Sequence, residues 1–415
     1  MNTILLIPTG EGVGLTSACL GMIYALDCKG INAGFLKPFS QIADTTIDRT
    51  TTLYSHLFQH KSVEPIIYEK LTQLIALGET DELLEEAVAL HRQIAANHDV
   101  IIVEGLVPNG QDHFASEINA ALAQALDAQV VLVSTADLAD PRKTAEKVDA
   151  HLRQFGGAAS ARTTGVLFMR TKGLPEGTAE IPVTLDPSLR LDEKIAEFSK
   201  ELQRYNRFMG TDDLPIIGLV PFSNILSVPR SLDIASVVDG TWLHEGEAKQ
   251  RRILHTSLIA SDIEAELQKF VAGELIISAA QRTDTLLAAS VATSNGIPLA
   301  GLVLTEQSAP ANNVLEFCQG AIKQGLPILH TPLDTLETAQ RLHHFGNEIP
   351  VDDTERAEQV TRFVSSHIDN NWLDQHTQNN LHPRLSPSAF RYELVQKSIA
   401  AKKRIVLPEG DEPRT

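Results

Sequence analysis

The sequence predicts an α/β protein: a doubly wound parallel sheet (P-loop-like), followed by a smaller α/β domain and a C-terminal stub. Three observations lead there. Apolar runs of strand length recur at 3–8, 33–36, 100–103, 130–134, 165–169 and 216–220, with helical patterns between most of them. Runs that do not alternate are covered on both faces, the condition of strands in a parallel sheet whose crossovers are helices. The first run feeds directly into a turn carrying Gly10, Gly12 and Gly14, and then into a helical stretch. After Val220-Pro221-Phe222 the strand–helix alternation starts again, so a second domain follows the first.

Residues 3–8 make the first strand and 14–29 the first helix, entered through the glycine turn. The second strand, 33–36, precedes helical periodicity at 69–77 and 81–97. VIIV at 100–103 is the third strand, and a helix near 115–126 returns the chain to the fourth, 130–134. Asp137 and Asp140 follow that strand, and Asp140 before Pro141 reads as a helix N-cap with proline in the first turn. Strands at 165–169 and 216–220 complete the sheet, with right-handed crossovers. The second domain runs helix 262–270, strand 274–278, helix 283–294, strand 299–304, helix 312–323 and strand 327–330. A helix at 354–367 closes it. The stretch 369–387 is rich in Asn, Gln and His and holds two prolines, the composition of a linker. One helix, 388–400, and one strand, 404–407, remain; these do not make a core, so they read as the start of a third domain. The expected boundaries are therefore 1–225, 226–368, a linker at 369–387 and a stub at 388–415.

Thirty-five Lys and Arg stand against 53 Asp and Glu, a net charge of −18. That argues against a nucleic-acid or anionic-membrane partner, both of which need clustered positive charge. Cys19, Cys28 and Cys318 are odd in number and widely spaced, so neither a disulfide framework nor a zinc-ligand spacing follows. The opening MNTILLIPTG is too short and too soon polar for a signal peptide, and no apolar run is long enough to span a bilayer. The expectation is a soluble, cytoplasmic protein.

The turn from Ile7 to Thr16 has the strand–turn–helix context of a phosphate loop, where backbone N–H groups and a helix N-terminus hold anions. Gly14 and Thr16 fall where such a loop has its last glycine and its Mg²⁺-binding hydroxyl. Thr9 replaces the first glycine, and Leu15 stands where the lysine that offsets the terminal phosphates belongs. Two readings stand side by side: a nucleotide or anion site, or a scaffold turn that has lost its chemistry. Lys37 and Glu104 each follow a strand and so join Gly10, Gly12, Gly14 and Thr16 at the carboxyl edge of the sheet, where doubly wound folds place ligands. Lys37 would neutralise a phosphate and Glu104 would hold Mg²⁺ or a water; alternatively the two form a pair that ties loops together. Removing Leu15 as the obstacle, by Leu15→Lys, tests whether the loop geometry survives.

Other candidates are weaker. His56 and His60 lie one helical turn apart without an intervening acid, the pattern of a solvated face. His343 and His344 beside Arg341 read as surface. Arg282 and Asp284 open a helix; Asp284 suits its positive end, and Arg282 would receive an anionic effector. No GxSxG nucleophile elbow and no metal motif occurs.

A resemblance joins these pieces. The strand, glycine loop and helix, then LKP at 36–38 and VEG at 103–105, resemble dethiobiotin synthetase and its ATP-dependent amidoligase relatives, which carry the loop lysine this sequence lacks. LLIPTGEGVGLTS (5–17), FLKPFSQ (35–41), VIIVEGLVP (100–108), IPVDD (349–353), LSPSAFRYEL (385–394) and KRIVLPEGDEPRT (403–415) together resemble the N-terminal part of the long-form bacterial phosphate acetyltransferases, over essentially the whole chain. The segment 280–284, AQRTD, sits where the name motif of that family's small DRTGG domain would lie, without its glycine pair.

The resemblance implies a degenerate synthetase-like domain, a DRTGG-like regulatory domain at 226–368, and at 388–415 the beginning of a catalytic domain that moves acetyl between coenzyme A and phosphate. It implies no tightly bound cofactor: coenzyme A and acetyl phosphate are substrates of the catalytic domain, whose active-site residues have no counterparts before Thr415. Thiolate attack on a mixed anhydride has a good leaving group, so base help and positive charge suffice without metal. The part at hand is expected to be inactive alone, to sense metabolites such as NADH, pyruvate or phosphoenolpyruvate, and to hold a homo-oligomer together. The alternatives are an active ATP-dependent amidoligase, which Leu15 opposes, and an assembly domain without ligand.

Overall fold

The computed structural model describes residues 2–43, 48–109, 114–157, 162–174, 187–306, 309–346 and 348–377, with 392 and 395. It divides into two units, 1–222 with 351–415, and 223–350.

The first unit alternates strand and helix in the order the apolar runs require. Its elements are β1 (Asn2–Pro8), α1 (Leu15–Cys28), β2 (Ala33–Leu36), α2 (Arg49–Phe58), α3 (Tyr68–Leu77), α4 (Thr80–Ala95), β3 (Val100–Glu104), α5 (Ala115–Ala125), β4 (Gln129–Asp137), α6 (Pro141–Leu152), β5 (Thr163–Lys172), α7 (Pro187–Gln203) and β6 (Ile216–Pro221). The six strands lie in the order β2-β3-β1-β4-β5-β6, with every neighbouring pair parallel. Every residue of β1, β2 and β3 is buried, which explains why these strands are runs rather than alternations. Leu5, Ile7, Ile101, Val103, Val130 and Leu132 face a core shared with α4, α5 and α6.

The second unit contains α8 (Asn224–Ser227), β7 (Thr241–His244), β8 (His255–Leu258), α9 (Ile263–Glu266), β9 (Glu274–Ala279), α10 (Thr283–Ser294), β10 (Gly301–Thr305), α11 (Asn312–Phe317), α12 (Gln319–Lys323), β11 (Ile328–His330) and α13 (Thr335–His343). Its sheet runs β7-β11-β10-β9-β8; β8 to β11 are parallel and β7 is antiparallel to β11. β7 and β8 were not legible in the sequence. Both are four-residue edge strands with mostly exposed or half-exposed residues, so neither makes an apolar run. The helix expected at 262–270 is α9 followed by a 3₁₀ turn, and that expected at 312–323 breaks at Cys318 into α11 and α12.

From residue 351 the chain belongs to the first unit again, with α14 (Thr354–Ser365) and α15 (Asn370–Thr377). The helix expected to close the second domain therefore packs elsewhere: α14 lies on α1 and α2. A Cβ on Gly21 of α1 would stand 2.4 Å from Val364 Cγ1, so only glycine admits so close an approach. Amphipathicity told that 354–365 has an apolar stripe; it did not tell which core the stripe joins. The stretch expected as a linker also begins ordered. Trp372 and Leu373, its apolar pair, are buried, and the Trp372 indole N–H donates to the Thr164 carbonyl at 2.8 Å. The rest of that stretch, 378–387, and the stub at 388–415, save Tyr392 and Val395, lie outside the described residues.

Candidate functional site

The glycine turn leaves β1 at Pro8. Thr9 occupies the place of a first glycine and fastens the turn to β4: its N–H donates to the Val133 carbonyl at 2.9 Å and its hydroxyl to Ser134 Oγ at 2.8 Å. Gly12 and Gly14 have φ of 66° and 86°, the left-handed region that favours glycine. Gly14 is the N-cap of α1 and offers no side chain, so the first N–H groups of that helix receive no side-chain cap. Gly10 and Gly12 have open space where a Cβ would be. Leu15 is 6% exposed and belongs to the interior. The position that carries the cation of a working loop is therefore a core position here.

A cation reaches the turn from a direction the sequence did not disclose. Arg170, in β5, has a φ of 52°, at a register shift between Phe168 and Thr171. Irregularities of this kind re-aim a side chain. Its Nη1 donates to the Gly12 carbonyl at 3.0 Å, and its guanidinium lies 5.3 Å from the centre of the Phe222 ring.

Lys37 and Glu104 do meet, and a third residue joins them. Lys37 Nζ is 2.7 Å from Asp48 Oδ2 and 3.3 Å from Glu104 Oε1. The Thr50 hydroxyl donates to Glu104 Oε1 at 3.3 Å and lies 3.2 Å from the hydroxyl of Thr16. Asp48 also caps α2, accepting from the Thr51 N–H at 3.1 Å. One chain of contacts thus ties the start of α1, the end of β2, the cap of α2 and the end of β3. Asp48 was overlooked; its signal was the Asp-Arg-Thr-Thr sequence, an acidic N-cap before a helix.

The electrostatics of this cluster follow from one ammonium shared by two carboxylates, with Arg49 as a further positive charge acting on Glu104. Burial alone would lower the Lys37 ammonium, but the Glu104 and Asp48 carboxylates outweigh it and hold it above the ordinary lysine range. Glu104 is also raised: burial comes first, the neighbouring Asp48 adds to it, and Lys37 only partly opposes them. Both partners of one ion pair rising looks contradictory. It is not, because the two carboxylates outweigh burial at Lys37, whereas burial outweighs Lys37 at Glu104. Glu104 Oε2 is buried and has no hydrogen-bond partner among the described residues. Cys19 is buried nearby, and burial together with Glu104 pushes its thiol well up, so it is held as a thiol.

This arrangement ties Lys37 to two carboxylates and leaves Glu104 Oε2 without a hydrogen-bond partner among the described residues. Lys37 is committed to the Asp48 and Glu104 carboxylates. The glycine turn retains backbone donors, with Arg170 beside it. Arg282 and Asp284 are placed together at the start of α10: Arg282 Nη2 is 2.6 Å from Asp284 Oδ2, and Nη1 donates to the Ser261 carbonyl at 2.7 Å. The Arg282 hydrogen bond holds the Asp284 carboxyl below its usual range. Asp140 caps α6, accepting from the Lys143 N–H at 3.0 Å, with Pro141 in the first turn. His60 Nδ1 lies 3.4 Å from the Tyr54 hydroxyl, and the rings of His343 and His344 stack edge-on. Among the described residues no three His, Cys, Asp or Glu side chains are placed to hold a metal ion, and no helix is long and apolar enough to cross a membrane.

Comparison with known proteins finds two family matches in the chain. Residues 2–230 match the model of an AAA domain family, and residues 233–345 match the DRTGG domain. The whole chain is 75% identical to a phosphate acetyltransferase of Acinetobacter baylyi, covering 58% of that protein. It is 36% identical over its full length to phosphate acetyltransferases of Pseudomonas aeruginosa and Pseudomonas putida, covering 58% and 57% of them. The chain thus spans less than two thirds of the curated relatives it matches. By the match across more than half its length, the chain belongs to this AAA domain family, with a DRTGG domain following.

Proposed function

We propose that the chain is the N-terminal regulatory and assembly region of a phosphate acetyltransferase, an enzyme interconverting acetyl-CoA and phosphate with acetyl phosphate and coenzyme A. The observation that carries the reading is 75% identity to one such enzyme over all 415 residues, including both domains. The first domain then serves as scaffold rather than as a nucleotide-hydrolysing centre. Leu15 is buried where a phosphate-binding lysine would stand, and Lys37 is held by Asp48 and Glu104. Without a cation at the loop, charge developing on a transferred phosphoryl group lacks its partner. The second domain takes small-molecule metabolite effectors, and the two domains together hold a homo-oligomer. No tightly bound cofactor takes part; coenzyme A and acetyl phosphate bind to the segment the relatives carry beyond this match.

The test compares three proteins: the chain itself, the chain joined to the remaining segment of the Acinetobacter baylyi relative, and that joined protein lacking the second unit, 223–350, with α14 retained. The joined protein is expected to form thioester from acetyl phosphate and coenzyme A, and the chain alone is not. Loss of 223–350 is expected to abolish the response to metabolites while transfer persists. Acetyl transfer by the chain alone, or ATP hydrolysis at enzyme-like rates, overturns the reading.

A further inference from the structure

A cavity of 210 Å³ lies at the opposite edge of the first sheet from the glycine turn. Its walls are the C-terminal half of α1, with Tyr24 and Asp27; Asn32, just before β2; and the end of α2, with Phe58, Gln59 and His60. A cavity of roughly 150 Å³ suffices for one benzene-sized ring. This one therefore has room for a small ring with substituents.

Its chemistry has one sign. Two helices, α1 and α2, end on it, and helix C-termini carry partial negative charge. The carbonyls ending α1 are capped by the N–H groups of Lys29, Gly30 and Ile31. Those ending α2 have no backbone cap among the described residues: Gln59, in the left-handed region at φ 55°, ends the helix without one. Asp27 adds a full negative charge and has no ion pair among the described residues, since its neighbour Lys29 turns instead to Asp374 at 2.7 Å. Among the described residues neither Lys nor Arg lines the cavity. The aromatic faces of Tyr24 and Phe58 attract cations further. The ring of Phe58 is braced by Tyr54 at 5.4 Å between centroids, and His60 is braced by the Tyr54 hydroxyl and by His98 at 5.7 Å.

We propose that this cavity binds a small planar organic cation bearing N–H donors, of the amidinium or aminoheteroaromatic class. Asp27 and the open carbonyls of α2 accept its hydrogen bonds, and the rings of Tyr24, Phe58 and His60 flank its plane. An anion finds no donor of full charge here, and a bare metal ion finds too few ligands.

Benzamidinium is the probe, with benzamide as the neutral control and benzoate as the anionic one, each titrated into the full chain. Backbone amide resonances of Ala33 and Gln59 report binding. A single-ring probe is expected to bind at about millimolar affinity or better. Benzamidinium should shift these resonances saturably, benzamide should bind about tenfold more weakly, and benzoate should not bind. Asp27→Asn, at an exposed position, should weaken benzamidinium about tenfold while the melting temperature of the free protein stays unchanged. Phe58→Leu should weaken all binding without favouring one probe. Absence of saturation by benzamidinium at millimolar concentration, equal binding of benzoate, or an Asp27→Asn protein with undiminished affinity would each overturn the proposal.

Discussion

Replacing Lys37 with methionine removes the ammonium and keeps most of the side-chain volume. Two buried carboxylates are then left without their shared ammonium, their side chains 2% and 5% exposed. Asp48 keeps its N-cap hydrogen bond, and Glu104 keeps, among the described residues, the Thr50 hydroxyl at 3.3 Å. Removing one partner of a buried ion pair costs about 3–5 kcal/mol. The cost depends on pH with a definite sign. The folded state raises Glu104 above its ordinary 4.5, so the fold favours its protonated form; that contribution is full below 4.5 and is lost as pH rises through the folded value. Lys37 is the influence that holds Glu104 down, so in the variant the value climbs further and the loss on raising pH is larger. The destabilisation should be near its full value at pH 8 and clearly smaller at pH 5, changing by at most about 1.4 kcal/mol per pH unit for one proton. The chain has two tryptophans, Trp242 on β7 and Trp372 on α15. In a Trp242→Phe background, urea unfolding followed by Trp372 fluorescence reports the first unit separately. A cost below about 1 kcal/mol near pH 8, the scale of an exposed ion pair, or a cost equal at both pH values, would refute the description of this cluster as a buried tie.

Leu15→Lys places an ammonium at a buried position, so it should lower the stability of the first unit by roughly 1–3 kcal/mol in denaturant titration rather than confer ATP hydrolysis in a phosphate-release assay. Gly21→Ala drives a methyl into Val364 and should cost about 1–3 kcal/mol; Val364→Ala in the same protein should recover part of it, as measured by melting temperature. His91, bonded to the Thr3 hydroxyl at 2.9 Å, is held by burial, with help from Arg92, at about 4 against an ordinary 6.5. Its contribution is present above 6.5 and lost as pH falls toward 4, so His91→Gln should flatten the acid limb of a stability–pH profile; an unchanged limb would show that another group governs it.

The strands of the first sheet were legible because each lies buried on both faces, and burial on both faces writes itself as an unbroken apolar run such as VIIV. The glycine turn was legible because left-handed backbone at Gly12 and Gly14 demands glycine, and the absence of a loop lysine was legible at Leu15 directly. That Lys37 and Glu104 meet followed from topology, since parallel strands send their following loops to one edge. What the sequence withheld depends on partners far away in the chain. The short edge strands β7 and β8 have no apolar signature, because their residues answer to solvent on one side. The stripe on α14 is the same whichever core it joins, and only the glycine gap at Gly21 selects α1. Arg170 looks like any strand residue until the register shift in β5 turns it onto the glycine loop. Asp48 reads as a helix cap, and it is that; only the folded chain, by bringing the end of β2 to the cap of α2, gives the same carboxylate a lysine and a second acid to share it with.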